Sequence, residues 1–247
     1  MARRLFFVDG VHSGRAELTG GDAAHLTRVL RVEPGERYEI SDNQRRYLAE
    51  VESARKSLVV FRVLETLPSP APLLHLHLLA ALVKFDRFEW VLEKAAELGV
   101  ESITPVIAGR SEKGLDQAAP KRSERWKRIL LESSQQCRRT TLPVLNPATT
   151  FAGALAQDGL RLLLDEEATM PVLHALPAAR HATDGVFLLV GPEGGWTGQE
   201  RQSAREALWQ PVSLGPNILR AETAAAAAMA VIVAAWEAAQ APASPMR

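Results

Sequence analysis

Cysteine is nearly missing from this chain of 247 residues: Cys137 stands alone, which excludes an intrachain disulfide and any zinc site built on several thiolates. Net charge is missing too, with 29 Lys and Arg against 29 Asp and Glu. No long apolar run is present either. The longest, Ala224 to Trp236, has thirteen residues and falls short of a bilayer span, and Leu5 to Val8 is too short for a signal-peptide core before Asp9. These absences lead us to expect a cytoplasmic protein with no membrane partner. There is no internal repeat, no GxGxxG or Walker A spacing, and no Ser-His-Asp or Cys-His pattern, so the usual support for dinucleotide, nucleoside-triphosphate or hydrolase readings is lacking. What is there is an ordinary globular balance, 47% hydrophobic and 23% charged, sufficient for a sizeable core.

The charge that cancels globally does not cancel locally. From Arg110 to Arg139 there are nine Lys or Arg against four Asp or Glu, whereas residues 151 to 247 carry ten acids against six bases. Lys121, Arg125 and Arg128 recur at helical spacing and Arg138-Arg139 follow, while Arg3, Arg4, His25, Arg28 and Arg31 form a second basic group. Either row suits a nucleic-acid backbone, and either also suits a solvated face.

Two rhythms divide the chain. Residues 1 to 67 read as short strands (Leu5 to Val8, Tyr38 to Ser41, Tyr47 to Ser53, Leu58 to Leu64) with one helix over Asp22 to Arg31, which fits a small β-barrel with an inserted helix. Three prolines within 68–72 predict a stiff linker. Thereafter strand and helix alternate: strands at Leu73 to Leu82, Ser102 to Ile107, Leu160 to Leu164, Val186 to Val190 and Val212 to Leu214, and helices ending at Gly99 and Cys137, the latter expected to begin at Lys121. This alternation predicts a mostly parallel sheet in an α/β domain over 73–240, followed by a tail at 241–247.

Chemistry concentrates near the end of the chain. An apolar strand runs into Gly191-Pro192-Glu193-Gly194-Gly195-Trp196 and then into a helix opened by Thr197 with Glu200 three residues on, the spacing of a capping box. A second strand runs into Gly215-Pro216-Asn217-Ile218-Leu219-Arg220 and then into an alanine-rich helix from about Ala221. Loops at the carboxyl ends of neighbouring strands share a crevice, so the two predict the walls of one small-molecule site. Arg220 lies among apolar neighbours and needs a partner or ligand if buried; Glu222 sits where a helix dipole favours a carboxylate whatever its function. His75 and His77 share one strand face, but two ligands rarely make a metal site.

These residues resemble the RsmE family, the SPOUT-class 16S ribosomal RNA uridine-N3 methyltransferases. The resemblance rests on Arg4-Leu5-Phe6-Phe7, His25-Leu26 with Val29-Leu30-Arg31, Lys94 with Glu97-Leu98-Gly99-Val100, Gln136 with Arg138, and above all Gly191 to Gly195 and Leu214-Gly215-Pro216 with Ile218 to Thr223. Asn217 departs from a frequent arginine, and Ser133 to Cys137 from the usual Glu-Gln-Ser-Gly stretch. The resemblance implies an N-terminal PUA-like barrel followed by a SPOUT α/β domain with a C-terminal trefoil knot. It also implies S-adenosylmethionine, without metal, held by Leu189, Val190, Gly191, Pro192, Glu193, Gly194, Gly195, Leu214, Gly215, Asn217, Ile218, Leu219 and Thr223. Catalytic roles would fall to Arg220 or Arg138 and to Glu222, and 16S rRNA contacts to Arg4, His25, Arg28, Arg31, Arg125 and Arg139. Similar proteins are homodimers, for which the Ala224 to Trp236 helix is a plausible interface. The rival readings are a knotted methyltransferase acting on a ribose 2'-hydroxyl or a guanine, and a non-catalytic RNA-binding assembly factor.

Overall fold

The structure, a computed structural model, describes residues 5–69 and 71–240; Arg4, Pro70 in the linker and the tail at 241–247 lie outside them. The chain forms two compact units, Met1–Pro70 with Leu131–Leu142, and Ala71–Leu130 with Pro143–Arg247.

The first unit holds strands β1 (Leu5–Phe7), β2 (Val11–His12), β3 (Arg15–Thr19), β4 (Arg37–Ser41), β5 (Arg46–Arg55) and β6 (Leu58–Leu67), with helix α1 (Gly20–Arg28) between β3 and β4. They form one sheet in the order β1-β4-β5-β6-β3-β2, in which only the β1–β4 pair is parallel. Register shifts between Leu48 and Ala49 and between Val51 and Ser53 bend the long β5–β6 pair. The sheet closes over Phe6, Leu18, Ile40, Val51, Val59 and Phe61, with Ala23 and Leu26 of α1 against them. No ladder joins β1 to β2 among the described residues, so the expected barrel is an open-edged one. β2 and β3 were not legible beforehand, since Arg15–Thr19 offers only Ala16 and Leu18 to the core.

The second unit contains β7 (His75–Ala81), α2 (Phe85–Glu97), β8 (Ser102–Ile107), α3 (Leu115–Cys137), β9 (Val144–Leu145), β10 (Thr149–Thr150), α4 (Phe151–Ala154), β11 (Leu160–Leu164), α5 (Val172–Ala175), β12 (Gly185–Val190), α6 (Gly198–Glu206), β13 (Gln210–Val212) and α7 (Ala221–Gln240); the last part of α3 groups with the first unit. Every pairing in its sheet, β10-β8-β7-β12-β11-β13 with β9 beside β8, is parallel. Both faces are buried, which is why the strands read as continuous apolar runs. Leu76, Leu78, Leu162, Leu188 and Val212 face a core shared with α2, α3 and α7, whereas Leu79, Ala81, Leu163 and Leu189 face one shared with Phe151, Trp196, Ala204 and Trp209. α7 is long and apolar enough to cross a bilayer by length and composition, but its Ala225, Ala228, Met229, Ile232 and Trp236 are used in the core.

α3 begins six residues before the expected Lys121. Pro120 lies within its first turns, where a missing N–H is tolerated more readily than in a helix interior. Its end, inside the first unit, is closed by Arg138 in the left-handed region (φ 60°) with the Arg139 N–H donating to the Ser134 carbonyl at 3.2 Å. That is the hydrogen bond of a Schellman cap, a position that favours glycine.

Candidate cofactor pocket

The two glycine loops do not follow adjacent strands. β12 and β13 flank β11, so the carboxyl end of β11 lies between them and supplies a third wall. A cavity of about 210 Å³ opens there, lined by Leu164, Asp165 and Glu166 after β11, by Val190 to Gly195 after β12, and by Ser213, Leu214, Gly215, Asn217, Ile218 and Leu219 after β13, with Ala221 and Ala224 of α7.

Each wall has a physical reason for its shape. In the β12 loop the Gly195 N–H closes a turn onto the Pro192 carbonyl at 2.9 Å, with Gly195 at φ 69°. The loop folds over the fully buried Trp196, whose indole N–H donates to the Leu164 carbonyl at 2.9 Å and so ties it to β11. Glycine is favoured by space at one position and by backbone at the other: a Cβ on Gly191 would press on the buried Trp196 indole at 3.0 Å, and Gly195 takes a positive φ that side chains rarely adopt, where a Cβ would also displace the tip of the Glu166 side chain, 2.2 Å away. Beyond it α6 starts with the expected capping box, in which Glu200 N–H donates to Thr197 Oγ1 at 3.1 Å and Thr197 N–H to Glu200 Oε2 at 2.8 Å. The other Glu200 oxygen accepts the Gly109 N–H at 2.7 Å, and Arg110 donates to the Gly194 carbonyl at 2.8 Å, so the loop is also held from the end of β8.

The β11 wall is fixed by Arg201 of α6. Its guanidinium is forked onto Asp165, reaches Glu166 at 2.9 Å and Glu167 at 3.0 Å, and donates to the Trp196 carbonyl at 2.8 Å. Asp165 and Arg201 are both buried, and the hydrogen bond from Arg201 to Asp165 raises the arginine's already high pKa despite the opposing effect of burial. In the β13 loop Gly215, at φ 117°, donates its N–H to Ser213 Oγ at 3.1 Å.

Of the residues expected to hold a cofactor, eleven line this cavity and two do not. Leu189 points into the core on the other face of β12, because adjacent strand residues alternate between faces. Thr223 is exposed on the first turn of α7. Leu164, Asp165 and Glu166 were missed, since only the strand order reveals that β11 lies between the two loops, and Ser213, Ala221 and Ala224 at the two ends of the second loop were missed with them.

The candidate catalytic residues separate. Arg220 is exposed at the rim, between the lining residues Leu219 and Ala221, and its guanidinium has no hydrogen bond or ion pair among the described residues, contrary to the buried setting considered for it. Glu222 is mostly buried on α7 and faces Arg87 of α2 at 3.9 Å, while its Oε2 is buried with no hydrogen-bond partner. Arg138 belongs to the first unit, where it is paired with the buried Glu39.

Among the basic residues, Arg28 and Arg31 are exposed at the end of α1, beside the exposed Val29 and Leu30, and His25 is half-buried. Arg125 is exposed but forked onto Glu89 of α2 at 2.7 and 2.8 Å. Arg139 is half-buried. His75 and His77 pair with Glu101 and Ser102 at the start of the sheet. No cluster of three or more His, Cys, Asp or Glu suited to a metal ion occurs among the described residues.

The profile of a family described as an RNA methyltransferase domain matches residues 69–233, and that of an RNA methyltransferase PUA domain matches residues 18–64. Ribosomal RNA small subunit methyltransferase E of Synechocystis is 32% identical over 96% of this chain and 79% of its own length. The chain belongs to the RsmE family of RNA methyltransferases. Its Bacillus subtilis relative is 29% identical over 87% of this chain and 88% of its own. The RsmE of Neisseria gonorrhoeae, solved with S-adenosylmethionine bound, superposes with a TM-score of 0.84 at 32% identity over 95% of this chain and 98% of its own. A methyltransferase of Legionella pneumophila, also solved with S-adenosylmethionine, gives 0.86 at 30% over the same shares. The fold of this RsmE-family chain is therefore a PUA-like unit and a SPOUT-class α/β unit.

Proposed function

We propose that this chain transfers the methyl group of S-adenosylmethionine to N3 of a uridine in 16S rRNA, within the small ribosomal subunit, in the cytoplasm. Residues 1–67 would help to hold the RNA and residues 73–240, threaded as a trefoil knot, would carry the reaction. The observation that carries the reading is the convergence of three strand ends on one cavity, two of them glycine loops in which backbone stands where side chains would otherwise fill the space. Relatives of closely similar fold bind S-adenosylmethionine.

The residues fit that cofactor. Backbone N–H and carbonyl groups of the β12 and β13 loops suit an adenine edge, Ala221 and Ala224 leave room, and Glu166 offers a carboxylate to ribose hydroxyls or to the cofactor's ammonium group. The bound cofactor supplies an electrophilic methyl on a sulfonium. Transfer forms the N3–CH3 bond, breaks the S–CH3 bond with its electron pair returning to sulfur, and requires loss of the N3 proton. Arg220 would stabilise the uracil anion through O2 or O4, a role that falls to it rather than to Arg138 because Arg138 is paired with Glu39. Glu222, with one buried oxygen lacking a donor, is the candidate proton acceptor.

A homodimer is supported by a second cavity lined by Pro171, Leu173, Pro216 and Val231 of α7, beside the exposed Met170. RNA contacts are assigned to Arg4, His25, Arg28, Arg31, Arg125 and Arg139. The test is Arg220→Ala: methylation of small subunits should fall by about two orders of magnitude with S-adenosylmethionine affinity retained. Full methylation with unchanged affinity would remove Arg220 from the mechanism.

A further inference from the structure

A cation in the first turn of a helix opposes the helix dipole, so Arg87 of α2 is not explained by the helix that carries it. Its environment explains it. The Arg87 guanidinium is paired with Glu193 in the β12 loop and lies 3.9 Å from Glu222 Oε1 at the start of α7. Arg87 is itself 29% exposed, Glu193 41% and Glu222 14%, so the pairing deepens from the cavity rim inwards. One side chain from outside both loops therefore meets the loop that follows β12 and the helix that follows the β13 loop.

We infer that Arg87 is a positioning residue that fixes the two glycine-loop walls of the pocket relative to each other. It lies 3.9 Å from Glu222 Oε1, the oxygen opposite the buried, unpartnered Oε2 to which the methyl-transfer reading gives the N3 proton. This rests on the methyl-transfer reading. Glu193 lines the pocket and Glu222 lies on the helix that follows the β13 loop, and two carboxylates meeting at one side chain repel each other and would splay loop from helix without the cation between them. Because Arg87 acts through Glu193 and Glu222, its removal should loosen cofactor binding in a way that removing either carboxylate afterwards adds little to.

The experiment is a double-mutant cycle read by calorimetry with S-adenosylmethionine on the full chain, with thermal unfolding as a check on folding. Arg87→Met should weaken binding about tenfold and Arg87→Lys, which keeps the charge, about threefold or less. Glu193→Gln alone should cost about fivefold, but less than about twofold on top of Arg87→Met. Effects that multiply, or an Arg87→Met protein that binds as tightly as the wild type, would overturn the role of Arg87 while leaving the methyl-transfer reading intact. Absence of any heat with the wild-type protein would overturn that reading and this inference together. Should Arg87→Met fail to fold, Arg87→Lys against Arg87→Gln supplies the same comparison.

Discussion

Arg201 and Asp165 form a buried fork, Nε to Oδ2 at 2.9 Å and Nη2 to Oδ1 at 3.0 Å, which fastens the first helix turn beyond the β12 loop to the strand end between the two glycine loops. Replacing the arginine by methionine strands a carboxylate in the interior and also frees the Trp196 carbonyl and Glu166. Arg201→Met should destabilise the protein by about 3–5 kcal/mol in urea titration. Asp165→Leu combined with Arg201→Met should recover part of that loss. A single variant within about 0.5 kcal/mol of wild type would show that the fork is not structural.

The glycines of the β12 loop and its following helix should differ sharply in tolerance. Gly195→Ala places a methyl 2.2 Å from Glu166 at a positive φ, whereas nothing lies within 4 Å of a Cβ on Gly198. The first substitution should weaken S-adenosylmethionine binding about tenfold and the second leave it within about twofold, as measured by calorimetry.

Arg138 closes α3 in a conformation suited to glycine, which allows the backbone term to be separated from its ion pair with Glu39. Both Arg138→Gly and Arg138→Ala lose the pair, but only alanine keeps the strain. The glycine variant should be the more stable of the two by about 1 kcal/mol in chemical denaturation. Equal stabilities would mean that the cap relaxes when the guanidinium is gone.

His77 is stacked on Phe187 at 4.5 Å and hydrogen-bonded to Ser102 at 2.8 Å. Burial pushes its pKa below the ordinary 6.5, opposed by the nearby Glu101 and assisted by His75. With the folded value the lower one, the native state holds fewer protons than the unfolded state as pH falls. The contribution of His77 is therefore complete above 6.5 and is lost as pH drops through the lowered value. The melting temperature of wild type should fall more between about pH 7.5 and pH 5 than that of His77→Gln. A steeper fall in the variant would reverse the sign.

The sequence announced the parts of the site whose chemistry is local. The Thr197–Glu200 capping box and the glycine turns are decided within a few residues, and the structure has both. The α/β unit was legible because strands such as Gly185–Val190 are apolar on both faces. Illegible were the features fixed by distant pairing. The position of β11 between β12 and β13, which brings Asp165 and Glu166 into the pocket, depends on strand order, and strand order is not encoded in any one segment. The exposure of Arg220 and the pairing of Arg138 with Glu39 were hidden for the same reason. β3 was overlooked because one buried face of Ala16 and Leu18 is too short a pattern to stand out.

The most direct test of the central claim is nucleoside mass spectrometry on 16S rRNA, after the purified protein and S-adenosylmethionine have been incubated with small subunits that lack the modification. The expected product is 3-methyluridine in amounts approaching one per subunit, and markedly less with Gly195→Ala. A methyl group found only on ribose or guanine, or no methyl transfer at all, would contradict it.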